Sequence, residues 1–187
     1  MDKLDILQQR VSVSKLLEPA PDDLVLHEVF KAAARAADHG MLQPRRFLLI
    51  SGAGLQQLSE IFVNAATKSD PEVSPAVLEK CRNMPKRAPL IIVAIAVCHL
   101  DSKVPRQEQI IACGASVQNI LNALFALGFG AIWRTGEMAY DAYVKNELGL
   151  AEGEEIVGFV YVGTPAAQLP KPRDVDVSKL YKTWLVE

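Results

Sequence analysis

Residues 106–127 read Arg-Gln-Glu-Gln-Ile-Ile-Ala-Cys-Gly-Ala-Ser-Val-Gln-Asn-Ile-Leu-Asn-Ala-Leu-Phe-Ala-Leu, followed by Gly128. No proline interrupts the run and Gly128 supplies a stop, so the stretch predicts one long helix. Its apolar residues Ile110, Ile111, Ala112, Val117, Ile120, Leu121, Leu124 and Phe125 fall on nearly every side. A helix that is apolar all round must be buried all round. A chain of 187 residues has little interior in which to do that. The expectation is an oligomer in which a second subunit covers part of this helix.

On the N-terminal side of the helix, Pro89 opens Leu90–Val97, a continuous run rich in β-branched residues. Such a run predicts a strand buried on both faces. Phe47–Ile50, Phe129–Trp133 and Ile156–Gly163 read as further strands. Helices are expected from Leu4 to Arg10, from Leu24 to Ala37 after an Asp22 or Asp23 cap, through Leu58, Ile61 and Phe62, from Ser74 onward, and over Tyr140–Leu148. Three or four strands mixed with helices, without a regular βαβ order, predict an α+β fold with a central mixed β-sheet flanked by helices. Repeats, low-complexity tracts and internal boundaries are absent from the sequence, so residues 1–187 read as a single domain. The last part, 165–187, holds Pro165, Pro170 and Pro172 and ends in Leu180, Tyr181, Trp184 and Leu185. It is too rich in proline for a helix and too apolar to stand alone. It is expected to be an arm that packs on a partner subunit.

Composition excludes several classes of function. The net charge of −2 gives no reason to expect nucleic acid or a membrane surface as partner. Three cysteines with no Cys-x-x-Cys pair make neither a disulfide framework nor a zinc site, and Cys98 and Cys113 read as small buried hydrophobes. His27, His39 and His99 lack metal-ligand spacing, so no metal is expected. The start, Met-Asp-Lys-Leu-Asp, has no signal-peptide order. The longest apolar run, Leu90–Cys98, is too short to span a bilayer as a helix, and a cytoplasmic location is expected.

Three segments could carry chemistry. Arg10-Val11-Ser12-Val13-Ser14-Lys15 gathers two cations and two hydroxyls after a helix, a set suited to a phosphate. Arg35 to Pro44, with His39 and Gln43, places cations at a helix end and an amide able both to donate and to accept at a polar ring edge. Gly128-Phe129-Gly130-Ala131-Ile132-Trp133-Arg134-Thr135-Gly136 combines glycines, which admit a ligand close to the backbone, with a stacking indole, an Arg and a Thr. The dinucleotide fingerprint, the phosphate-binding P-loop and the Gly-x-Ser-x-Gly elbow are all missing. Glu108 and Glu137 could be acids, but nothing in the sequence pairs them.

In this order the segments resemble the FMN-dependent nitroreductase family, most closely its short, YdjA-like branch. The strand Ala88–Ile92, the run Lys103–Arg106 and the strand Ile156–Phe159 extend the likeness to nearly the whole chain. The resemblance implies a homodimer with FMN at the interface, the long helix as interface helix and the C-terminal arm exchanged. It implies electron transfer from NAD(P)H through FMN to a small acceptor such as a nitroaromatic or quinone, by a ping-pong mechanism. The alternative is a non-catalytic flavin-binding sensor or carrier. Arg10, Val11 and Ser12 would hold the FMN phosphate, with Arg134 and Thr135 approaching it. Arg35, His39 and Gln43 would contact the flavin or its ribityl chain, and Trp133 would line the site. No side chain is expected as a catalytic acid or base. The chain departs from the family at Val11, at Ser14-Lys15 and at Arg45-Arg46. The last pair stands where an aromatic is usual, which implies altered acceptor choice or a preference for a phosphorylated nicotinamide.

Overall fold

The computed structural model describes residues 4–184; the arm residue Leu185 lies outside them. In chain order the elements are α1 (Asp5–Gln8), β1 (Leu16–Leu17), α2 (Asp23–Ala33), β2 (Arg45–Ser51), α3 (Ala53–Ser69), α4 (Pro75–Asn83), β3 (Leu90–Val97), α5 (Arg106–Ala126), β4 (Gly130–Arg134), α6 (Glu137–Tyr140), α7 (Ala142–Glu147) and β5 (Glu154–Pro165). Asp22, Ser74 and Asp141 cap α2, α4 and α7 by accepting the backbone N–H of Val25, Val77 and Val144.

The sheet runs β2-β3-β5, and the far edge of β5 pairs first with β4 and then with β1. Every pairing among the described residues is antiparallel, so the expected mixed sheet is corrected to an antiparallel one. Two features of the connections explain this. Ser51 at the end of β2 faces Leu90 at the start of β3, because the pair α3 and α4 returns the chain to the end it left. By contrast α5 carries the chain across one face, so β3 and β4 run the same way. The long strand β5 lies between them and pairs antiparallel with both.

Alternation along the strands builds two cores. Leu90, Ile92, Ala94 and Ala96 of β3 face α2 and α5, together with Ala131, Val160 and Val162. Ile91, Val93 and Ile95 face the other way, onto Leu58 and Phe62 of α3, Cys81 of α4 and the α6–α7 segment. The strand is thus buried on both faces, as its composition requires.

Besides α1, which spans Asp5–Gln8 rather than reaching Arg10, two helices are shorter than their sequence suggests. The helix expected to Ala37 stops at Ala33, because its last carbonyls are taken by side chains: Asn119 Nδ2 donates to Ala32 O and Arg45 Nη2 to Ala34 O, each at 3.1 Å. The helix expected over Tyr140–Leu148 is two helices, since extended Asp141 ends α6 and caps α7.

By length and apolar content alone α5 could cross a membrane, yet one side of it packs on α2 and the sheet. Its other side is left open: Ile111 is 61% exposed, and Gln118 and Ala126 are exposed with it. The C-terminal segment from Ala166 leaves the sheet with Leu180, Tyr181 and Trp184 at 72%, 74% and 85% exposed.

One end of the sheet is tied by charge. Arg46 of β2 grips Glu154 of β5 through two hydrogen bonds of 2.6 Å. Glu155 accepts from Lys145 of α7 and Arg106 of α5. Hydrogen bonding to Arg46 holds the Glu154 carboxyl below its ordinary value of 4.5, and hydrogen bonding to Lys145 does the same for Glu155. A carboxyl depressed in the folded state stabilises the fold above its ordinary pKa, and that stabilisation is lost as pH falls through the depressed value. Thermal melts of the wild type and of Glu154→Gln should therefore differ most near neutral pH and converge as pH falls below the ordinary value of 4.5 and through the depressed one. A constant difference across that range would remove this tie from the account.

Candidate functional site

The first group of polar residues is assembled on the free edge of β4. Val13 N–H donates to Ala131 O at 3.0 Å, which brings Arg10, Val11 and Ser12 to that strand. The contact is close because residue 130 is glycine: a Cβ there would sit 2.8 Å from Leu16 Cδ2 and 3.2 Å from Val13 Cβ. Strand β4 ends in Trp133 and Arg134, and Thr135 follows at the turn into α6. Among the described residues, the side chains of Arg10, Ser12, Lys15 and Thr135 make no hydrogen bond or ion pair. Arg134 is more exceptional, because its Nε is buried and has no hydrogen-bond partner. Burial raises the Tyr161 hydroxyl above its ordinary value, while nearby Arg87 and Arg134 pull it down.

Trp133 is fixed by packing. Its indole N–H donates to Val157 O at 3.2 Å, and its ring edge lies over Gly114 of α5. Gly158 makes the room: a Cβ there would meet Trp133 Nε1 at 2.1 Å. Trp133 thus ties β4, β5 and α5 together and remains partly exposed.

The second group lies on the loop between α2 and β2. Arg35 is exposed just past the helix end, and its side chain has no partner among the described residues. His39 Nδ1 is 2.7 Å from Glu108 Oε2 of α5. Gln43 N–H donates to Asp38 Oδ2 at 2.6 Å, and Asp38 stands 3.7 Å from Arg45 Nη1. Arg35, Asp38, Met41, Gln43 and Arg45 surround a surface hollow of about 410 Å³.

Arg45 and Arg46 are therefore not free cations. The first is held by Asp38 and Ala34, the second by Glu154 and Gly149 O. Each guanidinium thus faces a carboxylate of its own chain rather than standing as uncommitted charge. Glu108, by contrast, gains a partner that the sequence did not reveal. It meets His39 across 69 positions, and only the fold brings the two together.

Within one subunit the two groups lie at different edges of the sheet. Ala131 is level with Val162 of β5, whereas Arg45 is level with Glu155, seven residues along the same strand. That is roughly 23 Å along the strand, with three strand spacings across the sheet besides. No hydrogen bond or ion pair among the described residues joins the groups. Nothing nearby suggests a metal or thiol chemistry: no metal-ligating cluster occurs among the described residues, and burial pushes the Cys113 thiol up to about 12.

Residues 7–164 match the model of the nitroreductase family. The chain belongs to that family. It is 40% identical over 165 residues, 88% of this chain and 89% of the relative, to YdjA of Escherichia coli K12, a protein named for NAD(P)H nitroreductase activity. A Haemophilus influenzae relative with the same functional name is 30% identical across 99% of this chain and the whole of its own length. Among solved structures, a nitroreductase-like family protein from Bacillus cereus superposes with a TM-score of 0.83 at 21% identity, covering 98% of this chain and 96% of that one. A nitroreductase-type protein from Desulfovibrio desulfuricans, solved in complex with FMN, gives 0.73 at 22% identity, covering 98% and 97%. At such identities the structural likeness speaks for the α+β nitroreductase-like fold.

Gly158→Ala tests the placement of Trp133. The added methyl must displace the indole, so the variant should lose about 1–3 kcal/mol of stability and shift the tryptophan emission. An unchanged spectrum and melting temperature would mean that this contact is looser than described.

Proposed function

We infer that this member of the nitroreductase family is an FMN-dependent oxidoreductase that works as a homodimer, with each site assembled from both subunits. The observation that carries the reading is the uncommitted donor set on the β4 edge: Arg10, Ser12 and Thr135 without partners among the described residues, and Arg134 with a buried, unpartnered Nε. Elsewhere in the structure, the part-buried Arg46 is met by the Glu154 carboxylate at 2.6 Å. A dianionic phosphate meets these donors in number and charge, with Arg10 and Arg134 offering planar forks. The donor set therefore fits the phosphate end of FMN, and the FMN complex of a structural relative supports that choice.

Bound there, FMN would supply the two-electron chemistry between NAD(P)H and a small acceptor such as a nitroaromatic or quinone, the two using the site in turn. The chain's own residues would bind and orient. Arg10, Ser12 and the Val11 backbone would hold the phosphate, with Arg134 and Thr135 beside them. Trp133, pinned by Val157 and Gly114, would wall the site. Arg35, His39 and Gln43 would come from the other subunit to the flavin edge, where a cation favours negative charge on the ring by simple attraction. His39 would present Nε2 outward, since Nδ1 is engaged by Glu108.

Three features support the dimer. The two polar groups lie at different edges of the sheet in one subunit, α5 keeps an open side on which Ile111 is exposed, and the segment after Ala166 carries exposed Leu180, Tyr181 and Trp184. A second copy covers the helix side and gives the arm a surface.

The test is a visible spectrum of purified protein loaded with FMN, freed of excess flavin, and titrated with NADH or NADPH under argon. Retained flavin that bleaches on titration is expected, and the Arg10→Ala variant should bind FMN about ten- to a hundredfold more weakly. Retained flavin that never bleaches would favour a sensor or carrier. A protein that retains no flavin would overturn the reading.

A further inference from the structure

The loop bearing Arg35, His39 and Gln43 holds an unfavourable shape. Gly40 has φ 72°, and Met41 and Gln43 have φ of 52° and 49°, the left-handed region that residues with a Cβ avoid. Such a backbone persists only where its surroundings over-determine it. Beside the His39–Glu108 contact and the backbone bonds of the loop, one charge pair ties its two ends together. At the loop's start, Arg45 Nη2 donates to Ala34 O at 3.1 Å, one residue before Arg35. At its end, Asp38 Oδ2 accepts the Gln43 N–H at 2.6 Å. The same carboxylate oxygen stands 3.7 Å from Arg45 Nη1, closing the circuit. Both side chains are nearly buried, at 7% and 10% exposed, and Arg45 Nη1 has no hydrogen-bond partner.

A buried charge pair with an unsatisfied nitrogen is a poor source of stability, since apolar residues of similar volume often do as well or better. Its effect here is geometric. It fixes the distance between the residue before Arg35 and the amide of Gln43, with His39 between them. A hydrogen bond from Gln43 N–H to a neutral acceptor would not hold the strained φ so firmly, because the charged acceptor is the stronger one. We propose that Asp38 and Arg45 are positioning residues, a clasp that sets Arg35, His39 and Gln43 at the spacing needed to meet the flavin edge. The proposal rests on the FMN reading above. It assigns to Asp38 and Arg45 no contact with the flavin.

The experiment compares four proteins: wild type, Asp38→Asn, Arg45→Met, and the paired variant Asp38→Leu with Arg45→Met. Each is measured for apo-protein melting temperature, for amide hydrogen exchange at Gln43, and for FMN affinity. Then Arg35→Ala and Arg10→Ala are each added to wild type and to the paired variant. The clasp predicts that the paired variant melts at or above the wild-type temperature, exchanges the Gln43 amide faster, and binds FMN at least about tenfold more weakly. It also predicts that Arg35→Ala loses most of its effect on FMN affinity in the paired background, while Arg10→Ala, on the other edge of the sheet, keeps its own. Wild-type FMN affinity in the paired variant, or an undiminished Arg35→Ala effect there, overturns the clasp while leaving the FMN reading in place. If the paired variant unfolds, the isosteric Asp38→Asn carries the same comparison. Unchanged Gln43 exchange in that variant overturns the clasp on the apo protein alone. A wild type that binds no FMN overturns both readings together.

Discussion

Strand β3 has no side to give to water. Its residues Leu90 to Ala96 are at most 4% exposed, with even-numbered side chains in one core and odd-numbered ones in the other. Burying such a strand needs helices on both faces of the sheet and neighbours on both edges. The rest of the architecture answers to that demand. The α3–α4 pair covers one face and returns the chain as β3, antiparallel beside β2, while α2 and α5 cover the other. Strand β5, twelve residues long, reaches past β3 and gives β4 and β1 an edge to pair with.

The same constraint distributes the polar residues. Because α5 must cross a whole sheet face, it passes beneath Trp133 at Gly114 and reaches His39 with Glu108 in its first turn. It touches both polar groups, at Gly114 and at Glu108. In the proposed dimer the open side of α5 is where two copies meet, so the phosphate-holding group of one subunit and the loop group of the other converge there. The geometry of a single chain is what suggests a site shared by two: the strands that place Arg10 and Arg134 at one edge place Arg45, and with it the Arg35–Gln43 loop, at the other.

What the sequence made legible follows from how local the physics is. The bounds of β3 are as read, α5 ends one residue from its expected limit, and the Ser74 cap stands where a Ser-Pro pair puts it. Periodicity and capping are short-range and visible in a window. The antiparallel sheet was not legible, because it depends on whether one helix or two intervene and on β5 inserting between β3 and β4. The two-residue β1 carries too little pattern to be seen. The early end of α2 depends on Arg45 and Asn119 reaching its last carbonyls from distant positions. At the candidate site the residue types were legible and their partners were not. The Arg-x-Ser and Trp-Arg-Thr segments announce donors. That Arg45 and Arg46 are spent on Asp38 and Glu154, and that Glu108 meets His39, are facts of tertiary structure. Composition alone made Arg45-Arg46 look like free charge.

The central claim is that each site takes Arg10 from one subunit and Arg35 and His39 from the other. The direct measurement mixes two defective proteins, Arg10→Ala and the Arg35→Ala, His39→Ala variant, carrying different purification tags. Mixed dimers are isolated after co-expression and titrated with FMN. In such a dimer a shared site predicts one complete site and one lacking all three residues, so one FMN should bind with wild-type affinity although neither parent does. If the mixed dimers bind FMN no more tightly than the parents, each site belongs to a single chain and the account is contradicted.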